Sequence, residues 1–209
     1  MNWEKKLELI SYISSDLKLI HSHNIIHRDL HSGNIFQNSL HNAYIGDLGF
    51  AISINKTLDK ELGKIYGALP YMAPEVLQEK PFSAASDIYS FGMIMWEISS
   101  GNTVFSDYKD NDSILAIEII KGLRPNILNG TARCYAELMQ KCWDKDPKNR
   151  PSAIEINETI SKWRINSEIL DEFLKSDKEM VIRNNDSNNI NDGAVYTSNF
   201  IDISKLINT

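Results

Sequence analysis

Apolar side chains return every three or four positions at the start of the chain, where Leu7, Ile10, Ile13, Leu17 and Ile20 fall on one helical face. The spacing predicts an amphipathic helix over residues 2 to 22, running directly into a polar loop. Two short apolar runs follow, Ile35-Phe36-Gln37 and Ala43-Tyr44-Ile45, separated by polar residues from Asn38 to Asn42, which reads as a small β hairpin. Residues 50 to 72 carry little periodicity, with Lys56, Asp59, Lys60, Glu61, Gly63, Gly67 and Pro70 scattered among them. A loop of that length in a compact domain is usually functional. Ser83 or Ser86 can cap a helix reaching about Ser100, with Gly101 placed to stop it. Its stripe of Ile88, Phe91, Met95 and Ile98 lies in an almost wholly apolar segment, so this helix belongs in the centre of the core. Further helices are expected at 112 to 121, 131 to 142 and 152 to 164. From about residue 176 the composition changes, and the run from Asn184 to Asn189 buries too little apolar surface to offset ordering, so the tail is expected to be disordered. No internal repeat is visible.

A chain of 209 residues with 42% hydrophobic content suffices for a single core burying roughly 70% of its unfolded surface, so one domain plus a tail is expected. The boundaries are set at 1–164 for the domain and 165–209 for a short helical extension and an Asn/Ser/Asp-rich tail. The net charge of -6 argues against nucleic acid or anionic lipid as a partner, since both call for a basic face. Cys134 and Cys142 show no metal or redox spacing, which suits reduced thiols in a cytoplasmic protein. No apolar run reaches the length of a membrane span, and Asn at position 2 removes the myristoylation pattern. His21, His23, His27, His31 and His41 lack the paired spacing of a zinc site.

Candidate chemistry concentrates in His27-Arg28-Asp29-Leu30-His31-Ser32-Gly33-Asn34, which sets a carboxylate and a carboxamide five positions apart in a polar loop. Asp47-Leu48-Gly49, Ala73-Pro74-Glu75 and Asp87-Ile88-Tyr89-Ser90-Phe91-Gly92 follow in order. An isolated Asp or Asn in a loop is usually a turn former, but four ordered motifs are poorly explained by chance. Together they resemble the protein kinase superfamily, in particular the large, C-terminal lobe of its tyrosine-kinase-like group, over residues 1 to about 164. The resemblance implies a mainly α fold with a short β hairpin at the catalytic and metal-binding loops. It implies transfer of the ATP γ-phosphoryl group to a protein hydroxyl, with Ser/Thr favoured over Tyr. Asp29 would be the catalytic base, flanked by Arg28 and His31, and a group in that role contributes about 100-fold to 10,000-fold. Asn34 and Asp47 would hold Mg2+ on the ATP phosphates. His27, Asp87, and the ion pair of Glu75 with Arg150 would be structural, and Trp143 would pack in the core. Arg28 would pair with a phosphorylated residue of the following loop, for which Ser53, Thr57 and Tyr66 are the candidates.

Four departures qualify the resemblance. Leu48 replaces the usual aromatic of the metal-binding motif and is expected to keep the packing beneath it. Ala68 stands where Ser/Thr kinases often carry a Thr, and His31 where many carry a Lys. No Gly-rich loop or strand lysine precedes Asp29, so the chain is expected to be a fragment, weakly active or inactive alone, with a small lobe or a partner covering the lobe interface. The alternative is a pseudokinase-type binding or scaffold module.

Overall fold

A computed structural model describes residues 1–38, 42–53, 64–108, 111–186 and 197–202. Among them the fold is mainly helical. Helix α1 (Trp3–Ser22) is started by Asn2, whose side chain accepts the Lys5 amide at 3.2 Å, and stopped at His23, after which Asn24 turns the chain with a φ of 56°. Its apolar stripe is real: Trp3, Leu7, Ile10, Ile13 and Leu17 are buried, each contributing roughly 1.5–3 kcal/mol to holding the helix down. Its main neighbour is α6 (Ala153–Trp163), a helix opened by a capping box between Ser152 and Glu155.

The two-residue strand β1 (Ile25–Ile26) leaves α1 and pairs with β4 (Ile52–Ser53), so both ends of the segment carrying the candidate site are tied together. Between them lies the hairpin of β2 (Ile35–Gln37) and β3 (Ala43–Ile45), with Ile35 opposite Ile45, as the two apolar runs predict. Asp16 of α1 accepts the Ile45 amide at 3.0 Å and fixes the hairpin to the helical body. Strand β5 (Lys64–Gly67) follows, then a 3-10 turn at Leu69–Tyr71 and the one-turn helix α2 (Pro74–Leu77).

Helix α3 (Ala84–Ser100) runs through the core with Ser86 to Trp96 buried, capped by Ser83 and Ser86 and ended by Gly101 at a φ of 75°. Two further helices, α4 (Asp112–Lys121) and α5 (Arg133–Cys142), complete the body. Trp143 is buried, as expected. Burial raises both thiols, Cys134 to about 12, so neither is ionised at neutral pH.

Beyond the core, part of the segment expected to be disordered is ordered, while residues 187–196 and 203–209, with half of the run from Asn184 to Asn189, lie outside the described residues. Helix α7 (Ser167–Asp186) continues to Asp186, and residues 199–202 form strand β6 (Asn199–Asp202). The helix persists because Phe173 and Ser176 are buried and Asp177 accepts the Trp3 amide at 2.9 Å, so contacts made far away in sequence supply what the local composition lacks. The strand persists because it pairs antiparallel with β5 in a two-stranded sheet, which satisfies backbone groups of both segments. No described helix is long and apolar enough to cross a membrane.

Candidate active site

Asp29 sits in a loop whose geometry is fixed from beneath. The buried carboxylate of Asp87, at the start of α3, accepts the His27 amide at 2.8 Å, the Arg28 amide at 3.0 Å and His21 Nε2 at 2.8 Å. With both amides drawn down, Arg28 takes a left-handed φ of 72° and the chain reverses into Asp29. The Asp29 amide donates to His27 Nδ1 at 3.3 Å, and its carbonyl accepts from Asn34 Nδ2 at 2.8 Å. Asp29 and Asn34 are therefore braced on the same turn, both buried.

The Asp47 loop is sewn to this turn. Gly46 donates its amide to the Asn34 carbonyl at 2.9 Å and accepts from His27 Nε2 at 3.0 Å, which carries Asp47 alongside Asn34. Asp47 is exposed, held at a φ of 57° with its Oδ1 on the Gly49 amide. Among the described residues no three His, Cys, Asp or Glu side chains converge as a ready metal cage. Asn34 and Asp47, on turns joined by the Gly46 amide, are the candidate ligands. With Nδ2 of Asn34 engaged by Asp29, its remaining donor atom is a hard carboxamide oxygen, and Asp47 adds a carboxylate. Such a pair fits Mg2+, which keeps several waters and shares phosphate oxygens rather than filling an all-protein cage.

His31 stands on the other side of Asp29, its Nε2 3.8 Å from Asp29 Oδ1. Burial pushes its pKa below the ordinary histidine value, and His27 adds to that, against the opposing pull of Asp29 and Asp47. The ring is neutral at pH 7. Its Nδ1 accepts the Gly33 amide at 3.1 Å, so the ring proton belongs on Nε2.

A residue from the far end of the chain completes the group. Ser198 Oγ donates to Asp29 Oδ1 at 2.8 Å and lies 2.9 Å from His31 Nε2. One consistent proton arrangement satisfies all three groups: Nε2–H donates to Oγ, and Oγ–H donates to the carboxylate. Sequence reasoning missed Ser198. The aromatic and β-branched residues Phe200, Ile201 and Ile203 were the available hint of a strand beside it.

The remaining candidates are dispersed around this centre. Arg150 clasps Glu75 with two bonds of 2.6 and 2.8 Å in a buried pair, and its Nη1 also reaches the Ala85 carbonyl at 2.9 Å. Arg28 lies over the Phe82 ring, donates one long bond of 3.4 Å to the Phe50 carbonyl, and has its Nε buried without a partner among the described residues. Of the hydroxyl candidates, Ser53 lies in β4, and Tyr66 in β5 stacks on Phe50 with centroids 3.6 Å apart. Thr57 lies outside the described residues. Leu48 does not pack beneath the Asp47 turn as expected: the 3-10 turn at Leu48–Phe50 leaves it 49% exposed.

The family model of protein tyrosine and serine/threonine kinases matches residues 1–160. The chain belongs to that kinase family. Among relatives of this kinase chain, the dual specificity protein kinase shkE of Dictyostelium discoideum is 38% identical over 141 residues, 66% of the chain and 20% of the relative. The serine/threonine-protein kinase STY17 of Arabidopsis thaliana is 31% identical over 153 residues, 72% of the chain and 26% of the relative. The dual specificity protein kinase shkC of Dictyostelium discoideum is 34% identical over 155 residues, 73% of the chain and 31% of the relative. The kinase chain thus spans about a fifth to a third of the length of these relatives.

Proposed function

We propose that this chain carries the large-lobe part of a protein kinase active site, transferring the γ-phosphoryl group of ATP to a serine or threonine hydroxyl of a protein, with tyrosine as a second acceptor. The observation that carries the reading is the Asp29 carboxylate accepting a serine hydroxyl at 2.8 Å while its own backbone is pinned on both sides by His27 and Asn34. A carboxylate so held orients an acceptor oxygen and takes its proton as the oxygen becomes a nucleophile. His31 Nε2–H holds that oxygen from a second direction and limits its approach. Asn34 and Asp47 would hold Mg2+, which when bound neutralises charge on the ATP phosphates. The dual specificity and serine/threonine activities in the names of shkE, shkC and STY17 support the same acceptor class.

A Gly-rich loop and a strand lysine paired with a helix glutamate, the rest of a kinase nucleotide grip, are not among these 209 residues. The polypeptide assayed alone therefore transfers phosphate slowly or not at all, and nucleotide binding is the more direct test. Calorimetric titration should show magnesium-dependent ATP binding that disappears in Asp47→Ala. Binding that is equal with and without magnesium, and equal in the variant, would overturn the reading. Where transfer to an added acceptor protein is measurable, Asp29→Asn should lower its rate about 100-fold to 10,000-fold.

A further inference from the structure

Strand β6 is more than a covered edge, because its register delivers a hydroxyl to the catalytic carboxylate. Lys64 stands opposite Asp202, Ile65 opposite Ile201, Tyr66 opposite Phe200 and Gly67 opposite Asn199. Ser198 is the next residue, so the pairing carries it just past Gly67. That is where Asp29 lies: a β-carbon built on Gly67 would stand 3.5 Å from Asp29 Oδ1 and 2.6 Å from Met72 Cε. Gly67, at a φ of 150°, permits an approach that a larger residue would block. Three residues after Ser198, the half-buried Ile201 packs with Ile65 against the hydrophobic core.

We propose that the β5 edge and the Asp29–His31 pair form a docking site for an extended, serine-bearing peptide, and that residues 197–202 are its resident, intramolecular occupant. The claim rests on reading Asp29 as the acceptor-site base. The site recognises its ligand in three ways: backbone pairing to β5, which is indifferent to sequence; a hydroxyl held between Asp29 and His31; and an aliphatic residue three positions later. Ser198 and Ile201 meet both side-chain demands. An outside acceptor peptide must displace them, because the carboxylate oxygen, the imidazole Nε2 and the strand edge are the same groups it would use. A tethered occupant acts at an effective concentration in the millimolar range, enough to outcompete a free peptide of ordinary micromolar affinity.

The test needs no catalysis. A fluorescein-labelled peptide with the sequence of residues 195–203 is titrated without nucleotide against the full 209-residue chain and against its Ser198→Ala/Ile201→Asp variant, with binding followed by anisotropy. The variant should bind the peptide at least about tenfold more tightly than the wild type, since its own tail no longer competes. A peptide with alanine in place of its serine should bind the variant about tenfold more weakly. Amide exchange at residues 65–67 should quicken in the variant, while exchange in α3 serves as the fold control. Equal peptide affinity for the two proteins, or no binding to either, would overturn the proposal. Magnesium-dependent nucleotide binding is read separately, so loss of one result leaves the other standing.

Discussion

Nδ1 of His31 accepts the Gly33 amide and Nε2 faces Ser198 Oγ, so a second ring proton would have to displace the Gly33 bond. Burial already disfavours the charged ring and lowers its pKa. The sign of the linkage follows. Below the ordinary value of about 6.5 the unfolded chain takes up a proton that the folded chain resists, so this ring's contribution is intact above 6.5 and is lost as pH falls toward the folded pKa. Urea unfolding at a series of pH values should show stability declining below about 6.5 in the wild type, and a shallower decline in His31→Asn. Asp87 is a second residue whose role is easy to isolate. Its carboxylate receives two backbone amides and an imidazole at 1% exposure, so Asp87→Ala should cost about 3 kcal/mol or more in the same experiment. Amide exchange at His27 and Arg28 should accelerate with it. The candidates Asp29, Asn34 and Asp47 were visible in the sequence because their spacing is local and chemically constrained. Ser198 was not, since one serine in a polar tail acquires meaning only through a pairing that spans more than a hundred residues.

Elements announced themselves where their ends carry caps. Ser83 and Gly101 around α3 do in the structure what the sequence led one to expect, and Asn2 and Ser152, placed inside their helices by the sequence reading, act as the caps of α1 and α6. The second half of α7 and strand β6 escaped, because the first depends on docking through Phe173 and Asp177 and the second on the β5 edge. Inside α3, two opposing effects can be weighed at Gly92. Alanine is preferred over glycine within a helix by about 1 kcal/mol. Its β-carbon would nevertheless meet Cys142 Cβ at 2.9 Å and the Trp143 amide nitrogen at 3.4 Å, where α3 packs on α5. Overpacking of that kind costs about 1–3 kcal/mol, and backbone cannot swing aside as a flexible side chain can. Gly92→Ala should therefore lower stability by about 1 kcal/mol, seen as a reduced melting temperature.

Among the described residues, one ionic and one aromatic fastening illustrate how distant segments are held together. The Glu75–Arg150 pair joins α2 to the turn before α6, and breaking it on one side strands a buried charge. Arg150→Leu should cost about 3–5 kcal/mol, and Glu75→Leu/Arg150→Leu together less than the sum of the two singles, by denaturant titration. The other fastening is aromatic. Trp3 lies edge-on to Tyr135 at 4.8 Å and packs beside Phe173 at 5.1 Å, and Phe173 in turn meets Trp163 at 5.9 Å. One consequence is optical. Two indoles, one near the amino end and one closing α6, share a dry pocket with a phenyl ring borrowed from α7, so intrinsic fluorescence should shift red as soon as that helix lifts away, before the rest of the protein melts.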